Sequence, residues 1–232
     1  MALPKISVPT FALNIPSKNK KKTFRPFLVK EEKILLMAQQ GNEQDMIDAI
    51  KQIINNCCVE DINVDSLATF DIEYLFLKLR GKSVDNVIEL KFRDKEDDKV
   101  YDFQINLDEI EITINEDNDP KIEITNEIGM IMKYPNIAST QKMAGIDDQE
   151  DVFNKVLISC IDTIYDEESV YPASEHTDEE LIEFIEQLDS KSFKKIEKFF
   201  DTLPKLSHVL EYENELGHKR RIELNTVQDF LT

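Results

Sequence analysis

After Gly81 the apolar residues change period, and that switch limits the fold more than any other feature of the chain. Before it they recur at helical spacing. Leu35, Leu36 and Met37 end one helix ahead of Gly41, a natural C-cap, and Asn42 can cap the next. In that next helix Met46, Ile47, Ile50, Ile53 and Ile54 share a face. Leu67, Phe70, Tyr74, Leu75, Leu77 and Leu79 make a third helix over 66–80, apolar around much of its circumference and so expected to be deeply buried, with Gly81 closing it. Beyond it Ile88, Leu90 and Phe92 alternate with polar residues, as do Tyr101, Phe103, Ile105 and Leu107. Ile110, Ile112 and Ile114 follow, then Ile122 and Ile124. Alternation predicts strands with one wet face, joined by the acidic turns 94–99 and 115–120.

Helical spacing returns after Pro135. Val152, Val156, Cys160 and Ile164 form one row, and Phe153, Leu157 and Ile161 the row beside it. Residues 166–176 are polar and contain Pro172. Thr177 and Glu180 match a capping box, ahead of Leu181, Ile182, Phe184, Ile185 and Leu188. Phe193, Ile196, Phe199, Phe200 and Leu203 mark another helix. The end reads as a hairpin that sets Leu210 and Tyr212 against Ile222 and Leu224, turning near Gly217. The expectation is therefore an α+β fold with a helical N-terminal block, a central antiparallel β-meander and C-terminal helices ending in a β-hairpin. It divides into an extended arm (1–27), a main α+β domain (28–165, with the meander at about 86–134) and a C-terminal helical subdomain (166–232).

Charge is distributed unevenly. Residues 1–30 hold no Asp or Glu and carry a formal charge of +7, whereas the chain as a whole is −19, leaving −26 on residues 31–232. The first 27 residues also contain Pro4, Pro9, Pro16 and Pro26, which forbid helix, and the near-alternating Ile6, Val8, Phe11, Leu13 and Ile15. A basic arm with an apolar face on an acidic body predicts an element that docks on a surface. An acidic body repels phosphate, so nucleic acid is not an expected partner. No apolar run approaches the length of a membrane span, and none serves as a signal peptide.

Chemistry finds little support. Five glycines and the absence of either phosphate-cradling glycine motif argue against a nucleotide site. Asn115, Asp117 and Asp119 have the spacing of a calcium loop, but Pro120 stands where that loop needs glycine and Asn126 where it needs glutamate, which favours a solvated turn. His176, His208 and His218 have no zinc-site spacing. Cys57, Cys58 and Cys160 are an odd set without a C-x-x-C pair, and Cys160 falls on an apolar row, so reduced structural thiols are expected. No enzyme, cofactor or metal is expected.

Two long blocks carry a resemblance. One is Phe24-Arg25-Pro26-Phe27-Leu28-Val29-Lys30-Glu31-Glu32-Lys33-Ile34-Leu35-Leu36. The other is Phe70-Asp71-Ile72-Glu73-Tyr74-Leu75-Phe76-Leu77-Lys78-Leu79-Arg80, with Lys82-Ser83-Val84 following. Together with Leu3-Pro4-Lys5-Ile6 and Val8-Pro9-Thr10, they resemble the baseplate protein family of T-even-type contractile-tailed bacteriophages, most closely over residues 1–85. The resemblance implies a late, non-enzymatic tail protein acting in assembly of the baseplate hub. It would work in the host cytoplasm during tail assembly, with the virion baseplate as its further location. Its partners would be other tail or hub proteins, or a second copy of itself. The residues expected to touch a partner are Phe11, Leu13, Lys20, Lys21, Lys22, Phe24, Arg25 and Phe27, since aromatics and arginine are common interface anchors. The rival reading is an acidic binding module that masks a basic protein surface, as an inhibitor or DNA mimic does.

Overall fold

The computed structural model describes residues 6–141 and 149–230. The chain folds into two compact units. One is built from the residues up to Thr113 together with those from Lys205 onward, and the other from Ile114–Pro204. The division differs from the sequence expectation, which set boundaries after residues 27 and 165.

The first unit begins with strands. β1 (Phe11–Ile15) and β2 (Lys20–Phe24) form an antiparallel hairpin in which Phe11 lies opposite Phe24 and Ile15 opposite Lys20. Pro16 opens the 3-10 turn between them, and Asn19 closes it at φ 46°, a left-handed conformation that asparagine tolerates. The expected helical N-terminal block is corrected by this hairpin, since strands precede the helices. The reason is that Leu13, Ile15 and Phe24 find cover within the unit, where all three are buried. Lys20-Lys21-Lys22 shows no alternation in sequence, so the second strand carried no signal of its own.

Three helices follow: α1 (Val29–Ala38), α2 (Glu43–Cys57) and α3 (Thr69–Ser83). Asn42 and Asp45 cap α2 reciprocally, each side chain accepting from the other's backbone N–H at 3.0 and 2.9 Å. α3 buries Phe70, Leu75, Phe76, Leu77 and Leu79. It runs through Gly81 rather than ending there. A Cβ at Gly81 would lie 3.3 Å from the Leu107 side chain, so this glycine serves close packing, not termination.

The expected meander is also corrected. Among the described residues, β3 (Val87–Arg93) pairs with β4 (Val100–Asn106) alone. A 3-10 turn at Leu107–Glu109 then redirects the chain, held by buried Lys78, whose ammonium donates to the carbonyls of Leu107 (3.2 Å) and Asp108 (2.7 Å). β5 (Glu111–Thr113) pairs with β10 (Lys205–Glu213), which also carries β11 (Lys219–Leu224). The terminal hairpin has Leu210 opposite Ile222, with Gly217 at φ +79° in its turn. Thr113 and Lys205 are ladder partners, so the chain leaves this unit and re-enters it at neighbouring positions.

The second unit has a four-stranded antiparallel sheet of β6 (Lys121–Glu123), β7 (Gly129–Met132), β8 (Ile161–Tyr165) and β9 (Val170–Pro172), in that order. Among the described residues, four helices accompany it: α4 (Ile137–Gln141), α5 (Gln149–Ser159), α6 (Asp178–Glu186) and α7 (Ser190–Asp201). The helical row through Cys160 and Ile164 is overturned, because α5 stops at Ser159 and Ile161–Tyr165 is a strand. Its β-branched Ile161, Thr163 and Ile164 suit a pleated surface, and β7 supplies the ladder. Strands thus recur throughout the C-terminal half instead of giving way to helices. The core gathers Met130, Met132, Leu157, Cys160, Ile161, Ile196 and Phe199.

Candidate docking surface

The sequence assigned partner contact to the N-terminal segment. The structure sorts those residues into three groups. Phe24 and Phe27 are buried in the unit's own core, with the Phe27 ring 6.0 Å from that of Phe76, and Leu13 is buried with them. Phe11 is half-buried. Arg25 is tied down internally. Its guanidinium binds both carboxylate oxygens of Glu31 (3.2 and 3.0 Å) and the carbonyls of Pro26 (3.0 Å) and Asn56 (2.8 Å). Lys20 and Lys21 point to solvent, while Lys22 pairs with Glu60 at 3.3 Å and donates to the Asp61 carbonyl.

Arg25 therefore works as a staple. Glu31 is fully buried, and burial alone would raise its pKa. The Arg25 hydrogen bonds, the Leu28 N–H (2.9 Å) and Lys30 outweigh that cost and hold it below the ordinary value. The Arg25 pKa is raised, chiefly by the same hydrogen bonds to Glu31. Backbone bonds complete the joint. Arg25 N–H donates to the Cys57 carbonyl, and Val59 N–H to the Thr23 carbonyl, both at 2.9 Å. Phe27 N–H donates to the Ser83 hydroxyl at 2.7 Å. At the hairpin turn, buried Asp71 at the start of α3 accepts from the Ser17 N–H (2.8 Å) and from its hydroxyl. Burial raises the Asp71 pKa despite these bonds.

This joint fixes the pose of α1, and α1 leaves apolar side chains outside. Val29, Leu36 and Met37 are 66%, 59% and 75% exposed. With Lys33 they occupy positions i, i+7, i+8 and i+4, which is one face of a helix. Buried Glu31, Leu35 and Ala38 lie on the other side. Lys30 and Lys33 are exposed beside the apolar residues. The sequence contained a signal for this face. Leu35, Leu36 and Met37 are consecutive, and three consecutive positions span about 200° of a helix, so not all of them could face one core.

Other candidates are accounted for by local structure. His176 pairs with Glu180 (3.4 Å), and His218 with Glu96 (2.8 Å). His208 lies in β10 opposite Leu224. In the acidic turn, the Asn115 and Asp119 side chains accept from the N–H groups of Asp117 and Lys121, and Asn118 donates to the Phe199 carbonyl. Cys57 and Cys160 are buried, and burial pushes both thiols up to about 11. Among the described residues, no group of three or more His, Cys, Asp or Glu is placed to hold a metal ion. Nor, among them, is any helix long and apolar enough to cross a membrane.

One comparison with known proteins succeeds. A family model described as the T4 bacteriophage base plate protein matches residues 8–232, nearly the whole chain. Neither the curated proteins nor the solved structures contain a match.

Proposed function

The chain belongs to the T4 bacteriophage base plate protein family, and from that premise we propose a non-enzymatic role in assembly of the baseplate hub, exercised through protein–protein contacts. The observation that carries this reading is the outward face of α1. Val29, Leu36 and Met37 form an exposed apolar stripe that also carries Lys33, in a chain with a formal charge of −19. Scattered exposed apolar residues need no explanation, but a stripe on one rigid helix suits an interface.

The lysines specify the occupant. Lys30 and Lys33 favour a partner that sets carboxylates around its own apolar contact. The exposed charges of α1 are Lys30, Glu32 and Lys33, a net of one positive charge, so two copies meeting through this helix would oppose like net charge and a different tail protein is the better occupant. The apolar side chains supply the affinity and the lysines mainly raise the association rate. Assembly takes place in the host cytoplasm before the virion baseplate is complete.

The test is co-expression with the other baseplate proteins of the same phage, followed by affinity capture. Leu36→Glu with Met37→Glu should abolish capture of one hub protein while leaving the melting curve unchanged, since both side chains are already in water. Retention of every partner by this variant would remove α1 from the reading.

A further inference from the structure

The second unit contains an apolar cleft that no part of the docking reading above uses. It encloses about 330 Å³, at the lower end of ligand-binding clefts (about 300–1,000 Å³). Its walls come from β8, the α6 helix and the residue before β7: Ile164 and Tyr165, Leu181 and Phe184, and Ile128. Gly129 helps to shape it. A Cβ there would collide with the Tyr165 ring, so only glycine lets that ring lie over β7.

The rim is acidic on two sides. On one side the β8–β9 turn brings Asp166, followed in sequence by Glu167 and Glu168. On the other the first turn of α6 brings Glu180, preceded by Asp178 and Glu179. Asp166 accepts from the N–H groups of Glu168 (2.8 Å) and Ser169 (2.7 Å) and from the Tyr171 hydroxyl (2.9 Å), which keep it ionised. Glu180 accepts from the Thr177 N–H at 2.9 Å and is held low in the same way. Among the described residues no lysine or arginine is part of the lining, although the Lys121 ammonium stands 5.7 Å from the centre of the Tyr165 ring, and His176 is already paired with Glu180.

We propose that this cleft receives one bulky apolar side chain from a basic polypeptide segment of a partner protein, with flanking Lys or Arg residues meeting Asp166 and Glu180. Its chemistry is opposite to that of the α1 face, which favours acidic surroundings. The two surfaces therefore select different partners, and neither proposal depends on the other.

The chain has no tryptophan, so a tryptophan-bearing probe can be followed without background. Acetyl-Lys-Trp-Lys-amide should show a saturable blue shift of its emission with the full chain. Acetyl-Glu-Trp-Glu-amide should bind at least about tenfold more weakly. Ile128→Lys, which places a competing cation at the cleft, should abolish the shift. Ile114→Lys adds the same charge at a residue 65% exposed and outside the cleft lining, and should leave the shift intact. Should Ile128→Lys fail to fold, Glu180→Gln keeps the capping geometry and should weaken the basic probe alone. Equal binding of the two probes, no saturable binding of the basic one, or equal loss in Ile128→Lys and Ile114→Lys would overturn the proposal.

Discussion

The two units stabilise themselves by different means. Glu31, Asp71, Lys78 and Asp94 are the buried charged residues among those described, and all four lie in the first unit. The buried polar side chains described in the second unit are Ser139 and Ser192, set beside a continuous aliphatic and aromatic core. In the first unit each buried charge ties two elements together, and three of the four ties span segments distant in sequence. Asp71 holds the hairpin turn to α3, Glu31 holds the hairpin exit to α1, and Lys78 holds the redirecting turn after β4. Asp94 accepts from the Tyr212 hydroxyl (2.5 Å) and from Arg220 (3.0 Å), joining the β3–β4 turn to the terminal hairpin. A unit assembled from several two- and three-stranded pieces needs such specific ties. A unit built around one four-stranded sheet can rely on apolar burial.

The contrast predicts different weak points. The largest loss is expected from Arg25→Met, which takes from buried Glu31 its guanidinium and leaves it the Leu28 N–H and the exposed Lys30 ammonium. Removing one member of a buried pair costs about 3–5 kcal/mol. The double variant Arg25→Met with Glu31→Leu should recover most of that loss, retaining the missing cap on Leu28 and the lost donors to the Pro26 and Asn56 carbonyls. Chemical denaturation of the four members of the cycle measures this. If the single variant were as stable as the parent, the staple would be decorative.

In the second unit the comparable damage needs a cavity. Ile196→Ala, at a fully buried position, should cost about 2–5 kcal/mol. Hydrogen exchange should show the loss of protection concentrated in β7, β8, α5 and α7. A loss concentrated instead around α3 would mean that the two cores do not behave as separate clusters.

Acidity gives a smaller and more selective effect. Burial raises the Glu73 pKa to about 7, with Asp229 adding to the shift against a hydrogen bond from Val227. A carboxyl whose folded pKa is raised contributes most below its unfolded value, near 4.5, and that contribution falls as pH rises to about 7. Glu73→Gln should therefore raise stability by about 1–3 kcal/mol at pH 8 and change little at pH 4. Glu31 runs the other way. Its lowered pKa gives stability that is present above pH 4.5 and is lost as pH falls below that value. Thermal melts of Glu73→Gln and of Glu31→Leu across pH separate these signs. A Glu73→Gln variant no more stable than the parent at pH 8 would mean that this carboxyl is not strained.

The smallest effect is chemical. Cys58 is half-buried, whereas Cys57 and Cys160 are fully enclosed with thiols near 11. Native thiol labelling should reach Cys58 first. Labelling of Cys160 ahead of it would place the opening of the second unit before that of the first.

The same contrast explains what the sequence could reveal. The second and third helices, the Thr177 capping box and the terminal hairpin were legible because each declares itself locally, through period, cap or turn residue. Strand partners were not legible. Alternation at Ile110, Ile112 and Ile114 says which side chains share a face, but nothing in it says that β5 pairs with β10 across the inserted unit. In the N-terminal segment the prolines and a run of lysines hide a hairpin whose buried face needs Phe24, five residues past the Asn19 that closes its turn. Of the anticipated contact residues, Lys20 and Lys21 remain free at the surface and the aromatics Phe24 and Phe27 turn inward. The exposed stripe on α1 was written in Leu35-Leu36-Met37, yet its direction depends on the Arg25–Glu31 joint, which links residues whose pairing no periodicity encodes.

The most direct test of the docking account is complementation of a phage that lacks this chain, with assembled baseplates counted by electron microscopy. Leu36→Glu with Met37→Glu should fold normally and yield almost no complete baseplates. Lys91→Glu with Asp102→Lys, an exposed pair on the β3–β4 hairpin, should assemble them at the parental level. Parental baseplate yield from the α1 variant would contradict the account.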